Sequence, residues 1–462
     1  MQSIDQFLEI EKNEKLYQFK VFDNMVHLWP MIRYQIIFTA LYEKVEIPNP
    51  NDPFKIIYSH AFSYLKTTFK DRSSNAGQND FIFFGNDVAN IKTEQGYYNR
   101  LTEYYAKEYV ERSILIEQSS NFSYKRPRTY KNVFVHDDIL IKSKLIGLFF
   151  RLNKKDLNII HYFVDFLKST TLWDFKESFW FLIETTIIRL CKEYKIKYLY
   201  YGRLLDRIKP KIVFLDAASY GYANLALIVA CKDKKIKLVE CQHGLISLNH
   251  TAYNYHNNLP AIYLKYLPDY FLSYGKYWSE NCRIPIPVIN IGNPYLTQKI
   301  SEADLSQKEN QLLYASGGTK PEACVKNLLY LNKELLKKGY KIMFRPHPTE
   351  IHRLDTVYKP LNENGIEFDL GLLDNSLGKS KYVFSDYSTV IFESLAFKCI
   401  PIVLKTHGSD LFINCDQILI LNSLDEIIEL IGRNVVIPEN LSYIWEENWK
   451  QNFRNFINKI ID

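Results

Sequence analysis

Apolar residues follow two rhythms along this chain of 462 residues. Near the start, Phe7, Leu8, Leu16, Phe19 and then Ile36, Ile37, Ala40 and Leu41 recur at spacings of three and four. That period predicts that residues 1–75 are mainly helical, with Pro30 bending or breaking the stretch. A polar patch from Asp71 to Asp80 closes it. Beyond it the apolar residues come in short unbroken runs. Phe81-Ile82-Phe83-Phe84, followed by Gly85-Asn86, reads as a first buried strand and its turn, and Ser113–Glu117 and Val133–Val135 read as two more. From Lys211 the pattern sharpens. Ile212–Leu215 ends in Asp216, a small-residue turn follows, a helix runs to about Cys231, and Ile236–Cys241 is the next strand. Strand, helix, strand at this spacing makes a βαβ unit with a parallel sheet. Further strands are expected at Tyr270–Ser273 and Val288–Ile291.

A polar stretch, Thr297 to Asn310, separates this half from a second series of the same kind. Strands are expected at Gln311–Ala315, Lys341–Arg345, Tyr382–Ser385 and Ile400–Leu404. Helices are expected up to Lys338, over Thr389–Phe397, over Leu424–Ile431 and over Trp445–Ile461. Two halves that each alternate strand and helix predict two doubly wound α/β domains facing a cleft. The boundaries fall at 1–298, 299–440 and 441–462, the last being a helix that packs back on the first domain. The length fits two cores rather than one.

Composition narrows the functional classes. Lys and Arg number 58 against 52 Asp and Glu, a net charge of +6, and the cations are interleaved with acids. A nucleic-acid partner would call for a basic stripe, so none is expected. The mild excess suits anionic substrates or the anionic inner face of a membrane. Seven scattered cysteines without a CxxC pair fit reduced cytoplasmic thiols and give no zinc signature. Residues Met1 to Lys15 lack an apolar core of the secretory kind. The apolar run Phe179–Leu190 is interrupted by Glu184 and Arg189 and is too short to span a bilayer. A cytoplasmic protein, peripheral to a membrane at most, is expected.

Ligands of open α/β sheets bind beyond the carboxyl ends of the strands. Three polar clusters follow predicted strands. Gln242-His243-Gly244 offers an imidazole of near-neutral pKa beside a glycine that permits close approach. Arg345-Pro346-His347-Pro348 fixes an imidazole between two prolines, next to a guanidinium suited to phosphate. Ser385-Asp386-Tyr387-Ser388-Thr389 ends at a helix N-terminus, where free N–H groups favour an anion, and Glu393 lies one turn on, able to accept from a ribose diol. Each has a plainer alternative: a turn with a partly buried histidine, a proline-rich loop, an ordinary helix cap. Weaker signals are Ser316-Gly317-Gly318-Thr319, which can lend backbone N–H groups to a phosphate but is no P-loop, and Asp138 of His136-Asp137-Asp138, a candidate general base. The loop Lys125-Arg126-Pro127-Arg128 reads as solvated.

The three clusters, in this order over about residues 210–405, resemble a superfamily of bacterial GT-B glycosyltransferases. It contains capsule β-Kdo transferases, sialyl- and polysialyltransferases, and CDP-glycerol glycerophosphotransferases. The resemblance implies a GT-B fold with a helical N-terminal extension and no cofactor or metal. It also implies transfer from a nucleotide-activated donor, CMP- or CDP-linked, to a growing capsule, O-antigen or lipopolysaccharide glycan or a lipid-linked acceptor. It places the donor phosphate on His347, Ser388 and Thr389, the ribose at Glu393, and His243 across the cleft near the reacting centre, supported by Gln242, Gly244 and Asp386. The chain departs from the pattern at Lys398, where related sequences often carry glycine, so the preceding helix is expected to end differently. A hydrolysing nucleotide-sugar 2-epimerase of the same architecture and a non-catalytic assembly subunit are the competing readings.

Overall fold

The computed structural model describes residues 4–42, 72–119, 124–170, 173, 175–318, 320–385, 388–435 and 440–461. Two parallel sheets dominate it. The first contains β1 (Phe81–Asn86), β2 (Ser113–Gln118), β3 (Val133–Val135), β4 (Ile212–Asp216), β5 (Lys237–Cys241), β6 (Tyr270–Ser273) and β7 (Val288–Asn290), in the order β7-β6-β5-β4-β1-β2-β3. The second contains β8 (Glu309–Ala315), β9 (Lys341–Arg345), β10 (Glu367–Phe368), β11 (Ser380–Ser385), β12 (Ile400–Leu404) and β13 (Leu419–Leu421), in the order β10-β9-β8-β11-β12-β13. Counted from its own first strand, each sheet runs 3-2-1-4-5-6, the doubly wound Rossmann order, with a seventh strand added at the end of the first sheet, and the direction of winding reverses between strands 1 and 4. The crevices at these switch points lie beyond Asn86 and Asp216 in one domain, and beyond Ala315 and Ser385 in the other.

The helices used below are α1 (Trp29–Tyr42), α2 (Asp137–Phe149), α3 (Lys154–Thr170), α4 (Glu177–Ile208), α5 (Leu225–Asp233), α6 (Pro294–Glu302), α7 (Pro321–Lys337), α8 (Thr389–Ala396) and α9 (Trp449–Ile461). Alternation along β1 shows why the strand is a solid apolar run. Ile82 and Phe84 join the core under α4 and α5, while Phe81 and Phe83 join the core under α9. Both faces are covered, so both parities must be apolar. Helix α9 presents Trp449, Phe453, Phe456 and Ile457 at helical spacing. Phe453 packs on Tyr105 at 4.7 Å and on Phe214 at 5.7 Å, so the last helix of the chain covers the first sheet. Among the described residues no helix is long and apolar enough to cross a membrane, α4 included.

The N-terminal region departs from the mainly helical expectation. Lys20–Val21 and Val26–His27 form a small antiparallel hairpin. Pro30 occupies the first turn of α1, where its missing N–H costs nothing, and so opens a helix rather than breaking one. Residues 43–71 of that expectation lie outside the described residues. A second hairpin, Asn90–Thr93 with Gly96–Asn99, stands between β1 and β2, where no strand was expected. The edge strands of the second sheet, β10 and β13, were not expected; β10 is only two residues long.

Lys398 ends α8 in the way a glycine would. Its φ is +57°, its N–H donates to Leu395 O at 2.9 Å, and the Cys399 N–H reaches back to Ser394 O at 2.9 Å. These are the two bonds of a Schellman cap. The expected altered ending is not found; the lysine takes up the left-handed strain instead.

Candidate active site

His243 lies two residues beyond β5, half-buried, between the rings of Tyr220 and Tyr253 at 5.6 Å and 6.5 Å. Burial, with the Arg100 charge adding to it, holds its pKa down to about 4. The imidazole is therefore neutral at pH 7 and able to accept a proton. Behind it stands a hydrogen-bonded chain. The Tyr253 hydroxyl donates to Glu240 Oε1 at 3.0 Å and lies 3.4 Å from His243 Nδ1. Glu240, fully buried, also accepts from the Ser219 N–H at 3.0 Å and from the Ser219 hydroxyl. With Tyr253 donating to the carboxylate, its oxygen is left to accept from Nδ1–H, which leaves Nε2 as the basic nitrogen. Burial pushes Glu240 up to about 7, the Ser219 and Tyr253 donors opposing it.

Gln242 is a brace. Its Oε1 accepts from the Tyr274 N–H at 2.7 Å and its Nε2 donates to Gly244 O at 2.8 Å, which fixes the turn that carries His243. A Cβ on Gly244 would meet no atom within 4 Å.

In the second domain the loop after β8 and the loop after β9 come together. Gly318, at φ +77°, sits against the His347 ring, so that a Cβ there would lie 3.4 Å from His347 Cγ. Glu350, buried, fastens both loops: it accepts from the Ser316 hydroxyl at 2.6 Å, from the His347 N–H at 3.3 Å and from the Tyr358 hydroxyl. His347 itself is exposed, and Gly317 is half-buried beside it. Arg345 is less available to a phosphate than its sequence context implied. Its guanidinium donates to Asp369 Oδ2 at 2.7 Å and to Gly371 O at 3.0 Å, so much of its charge is matched. Ser388 caps α8, its hydroxyl accepting from the Val390 N–H at 3.3 Å. Thr389 opens the helix and Glu393 follows one turn later, both half-buried. Asp386 lies outside the described residues.

Asp138 does not join this site. It is 3% exposed, its Oδ2 faces Lys142 at 3.4 Å and its Oδ1 has no partner among the described residues. It follows β3, four strands from β5, which at strand spacing is roughly 19 Å from the His243 turn. The two candidate bases therefore cannot serve one reacting atom. The loop Lys125–Arg128 is solvated at Arg126 and Pro127 but not at Arg128. The Arg128 side chain is buried and donates to Glu117 Oε1 at 3.0 Å and to Glu103 Oε2 at 3.3 Å. Asn99 ties the second hairpin to the same carboxylates, its N–H donating to Glu103 at 3.0 Å and its side chain to Glu117 at 3.1 Å.

That network holds the residue the sequence did not reveal. Arg100 follows Asn99 directly. It is half-buried, 6.0 Å over the Tyr295 ring, and among the described residues its guanidinium has no hydrogen-bond or ion-pair partner. One charge acts on both domains. It lowers His243 and pulls against the upward push that burial exerts on Glu393, Arg345 helping and Asp374 opposing. The Arg100 charge thus acts on the imidazole of one domain and on the carboxylate of the other, and Tyr98 and Tyr104 cluster with the Tyr295 ring it lies over. A lone cation at an interdomain cleft is suited to an anionic ligand. The signal available in sequence was only one arginine among many.

No family model matches the chain, and no curated protein matches it. Solved structures similar to it include the UDP-GlcNAc 2-epimerase from Methanocaldococcus jannaschii, at 13% identity, 83% of this chain, 99% of that chain and a TM-score of 0.46. The UDP-N-acetylglucosamine 2-epimerase from Rickettsia bellii gives 14%, 82%, 95% and 0.44. The alpha,alpha-trehalose 6-phosphate synthase from Burkholderia multivorans gives 9%, 83%, 96% and 0.43. At these scores the fold assignment rests on the chain's own strand order: two doubly wound domains about a cleft, the GT-B arrangement.

Proposed function

We propose that the chain is a glycosyltransferase that moves a sugar or polyol phosphate from a nucleotide-activated donor, CMP- or CDP-linked, to a glycan acceptor of a surface polysaccharide. The observation that carries this reading is Arg100, a half-buried guanidinium with no hydrogen-bond or ion-pair partner among the described residues, whose charge acts on His243 in one domain and on Glu393 in the other. The donor phosphate lies against the Gly317-Gly318 turn, His347 and the N-terminus of α8 at Ser388 and Thr389, and the ribose lies at Glu393. His243 Nε2 takes the acceptor hydroxyl proton as the new bond to the transferred group forms. The bond from that group to the donor phosphate breaks, and the nucleoside phosphate leaves with the electron pair. Its growing charge meets donors already in place, Arg100, His347 and the helix N–H groups, which need not reorganise.

A nucleotide that binds the native state raises the melting temperature; at a hundred times its Kd the stabilisation is about 2.7 kcal/mol. CMP or CDP is expected to raise it more than UDP or GDP, and His347→Ala to reduce the rise. Equal shifts in the variant, or none with any nucleotide, would remove the donor-site assignment.

One observation favours a second reading, a nucleotide-sugar 2-epimerase. Asp374, whose Oδ1 has no partner among the described residues, acts on Glu393 and on Tyr295, which places a second carboxylate near the cleft. Incubation with a nucleotide sugar and no acceptor separates the two: an epimer in the product supports this reading, and unchanged sugar supports transfer.

A further inference from the structure

The segment from Ile139 to Lys155 carries five cations, Lys142, Lys144, Arg151, Lys154 and Lys155, and no acidic residue. It forms most of α2, its connection to α3 and the first two residues of α3; all five cations are exposed, Lys142 lying 3.4 Å from Asp138 and Lys155 3.4 Å from Asp23. Between them the end of α2 shows large apolar side chains to solvent: Phe149 is 81% exposed, and Ile146 and Leu148 are 50%. Single exposed apolar residues need no explanation, but three within four positions at a helix end, with cations before and after them in the chain, do.

The placement of this surface is informative. Ile208, at the end of α4, lies at the amino edge of the first sheet, where its carbonyl accepts from the Asn79 N–H at 3.1 Å. His136, at the carboxyl end of β3, meets Tyr201 of α4 at 3.2 Å. Gly147 sits against Lys192 and Glu193. Helix α2 therefore climbs along α4 away from the sheet, beyond the same carboxyl edge that carries His243. Beside the connection is a cavity of about 560 Å³ whose apolar part is Phe22, Met25, Phe150 and Leu152 and whose polar part carries Arg151 and Lys195 together with Asp23 and Asp156.

We propose that the end of α2 and the α2–α3 connection dock on an anionic phospholipid bilayer. Phe149, Leu148 and Ile146 enter the interface, and the five cations face the headgroup phosphates. Neither element suffices alone, since apolar contact and a basic patch each give weak, reversible binding and together give a stable one. The proposal deepens the acceptor side of the reading above, because the docked edge is the one on which the reacting centre lies. It does not depend on which chemistry the cleft performs.

The test uses the full chain with vesicles of phosphatidylcholine alone or phosphatidylcholine mixed with phosphatidylglycerol, read by co-sedimentation without substrate. Binding to the mixed vesicles only, falling as salt is raised, is expected. Arg151→Glu with Lys154→Glu should weaken it at least about fivefold per charge, and Leu148→Ser with Phe149→Ser should weaken it at constant charge. All four side chains are exposed, so unchanged melting curves verify folding. Lys326→Glu with Lys333→Glu on α7, in the other domain, should leave binding intact. Equal sedimentation with both vesicle types, unaltered binding by the α2–α3 variants, or equal loss in the α7 control would overturn the proposal. Nucleotide-induced shifts in melting temperature, measured separately, keep its failure distinct from failure of the donor site.

Discussion

The chain from Ser219 through Glu240 and Tyr253 to His243 makes one carboxyl proton matter to a residue that never touches it. Burial raises Glu240 to about 7, so the folded state holds a proton that the unfolded state has released between about pH 4.5 and 7. Its contribution to stability is present below the unfolded pKa and is lost as pH rises through 7. Glu240→Gln cannot ionise, so its stability relative to wild type should move in the variant's favour, by up to about 3 kcal/mol, between pH 5 and 8. Denaturant titrations at both pH values check this, and a constant difference would mean that Glu240 does not titrate in that window. Lys398 offers a simpler test. Held at φ +57° with an exposed side chain, it carries the left-handed strain that glycine avoids, and Lys398→Gly should stabilise the protein by about 1 kcal/mol. Sequence exposed His243 at this scale, because an imidazole followed by glycine at a strand end is a local signal. It could not expose Tyr253 or Glu240 as its partners, since their meeting depends on how a long loop folds back over β5.

At the scale of elements, the strands of the first sheet were legible out to its edges, β3 and β7, whereas the polar hairpin Asn90–Asn99 and the edge strands of the second sheet were not. Phe81–Phe84 and Ile212–Leu215 are unbroken apolar runs because helices cover both sides of the sheet. The hairpin Asn90–Asn99 reads as loop because polar bonds, not apolar packing, secure it: Asn90, Asn99 and Arg128 meet at Glu117. That is also why Arg128 was misread as solvated, since a buried ion-pair network and a surface loop have the same composition. The turn after β8 was legible as two glycines, but its partner across the sheet was not. Gly318 takes φ +77° and leaves only 3.4 Å to His347 for any added Cβ. Gly318→Ala should therefore destabilise the second domain by about 1 kcal/mol or more and shift the His347 ring. The expected readout is a lower melting temperature together with a reduced nucleotide-induced rise. An alanine variant with the wild-type rise would mean that the phosphate does not rest on this turn.

Over the whole molecule, the two domains are joined where α8 meets the first domain. The Phe392 ring lies 4.7 Å from Trp278, its carbonyl accepts from Trp445 Nε1 at 3.3 Å, and Trp278 Nε1 donates to Ile444 O at 2.8 Å. At the end of β7, Gly292 at φ +106° admits Glu446 O to 2.4 Å of where a Cβ would stand, and so lets the returning chain pass. Phe392 is thus fixed in the joint while Glu393, the next residue, is within reach of the Arg100 charge. Any shift of the domains that moves α8 must also change the space between Glu393 and Arg100, which makes Arg100 the sharpest probe of the site. A structural arginine loses its hydrogen-bond and ion-pair partners when truncated and the protein weakens; among the described residues Arg100 has none of these, only the Tyr295 ring at 6.0 Å. Arg100→Ala should therefore leave the ligand-free melting temperature near that of wild type. It should weaken binding of the nucleotide donor about tenfold or more, the loss of a charge-assisted hydrogen bond. Arg100→Lys keeps the charge but not the planar fork and should recover part of that loss. The opposite pattern, early unfolding with unchanged affinity, would make Arg100 a packing residue and leave the cleft without its central cation.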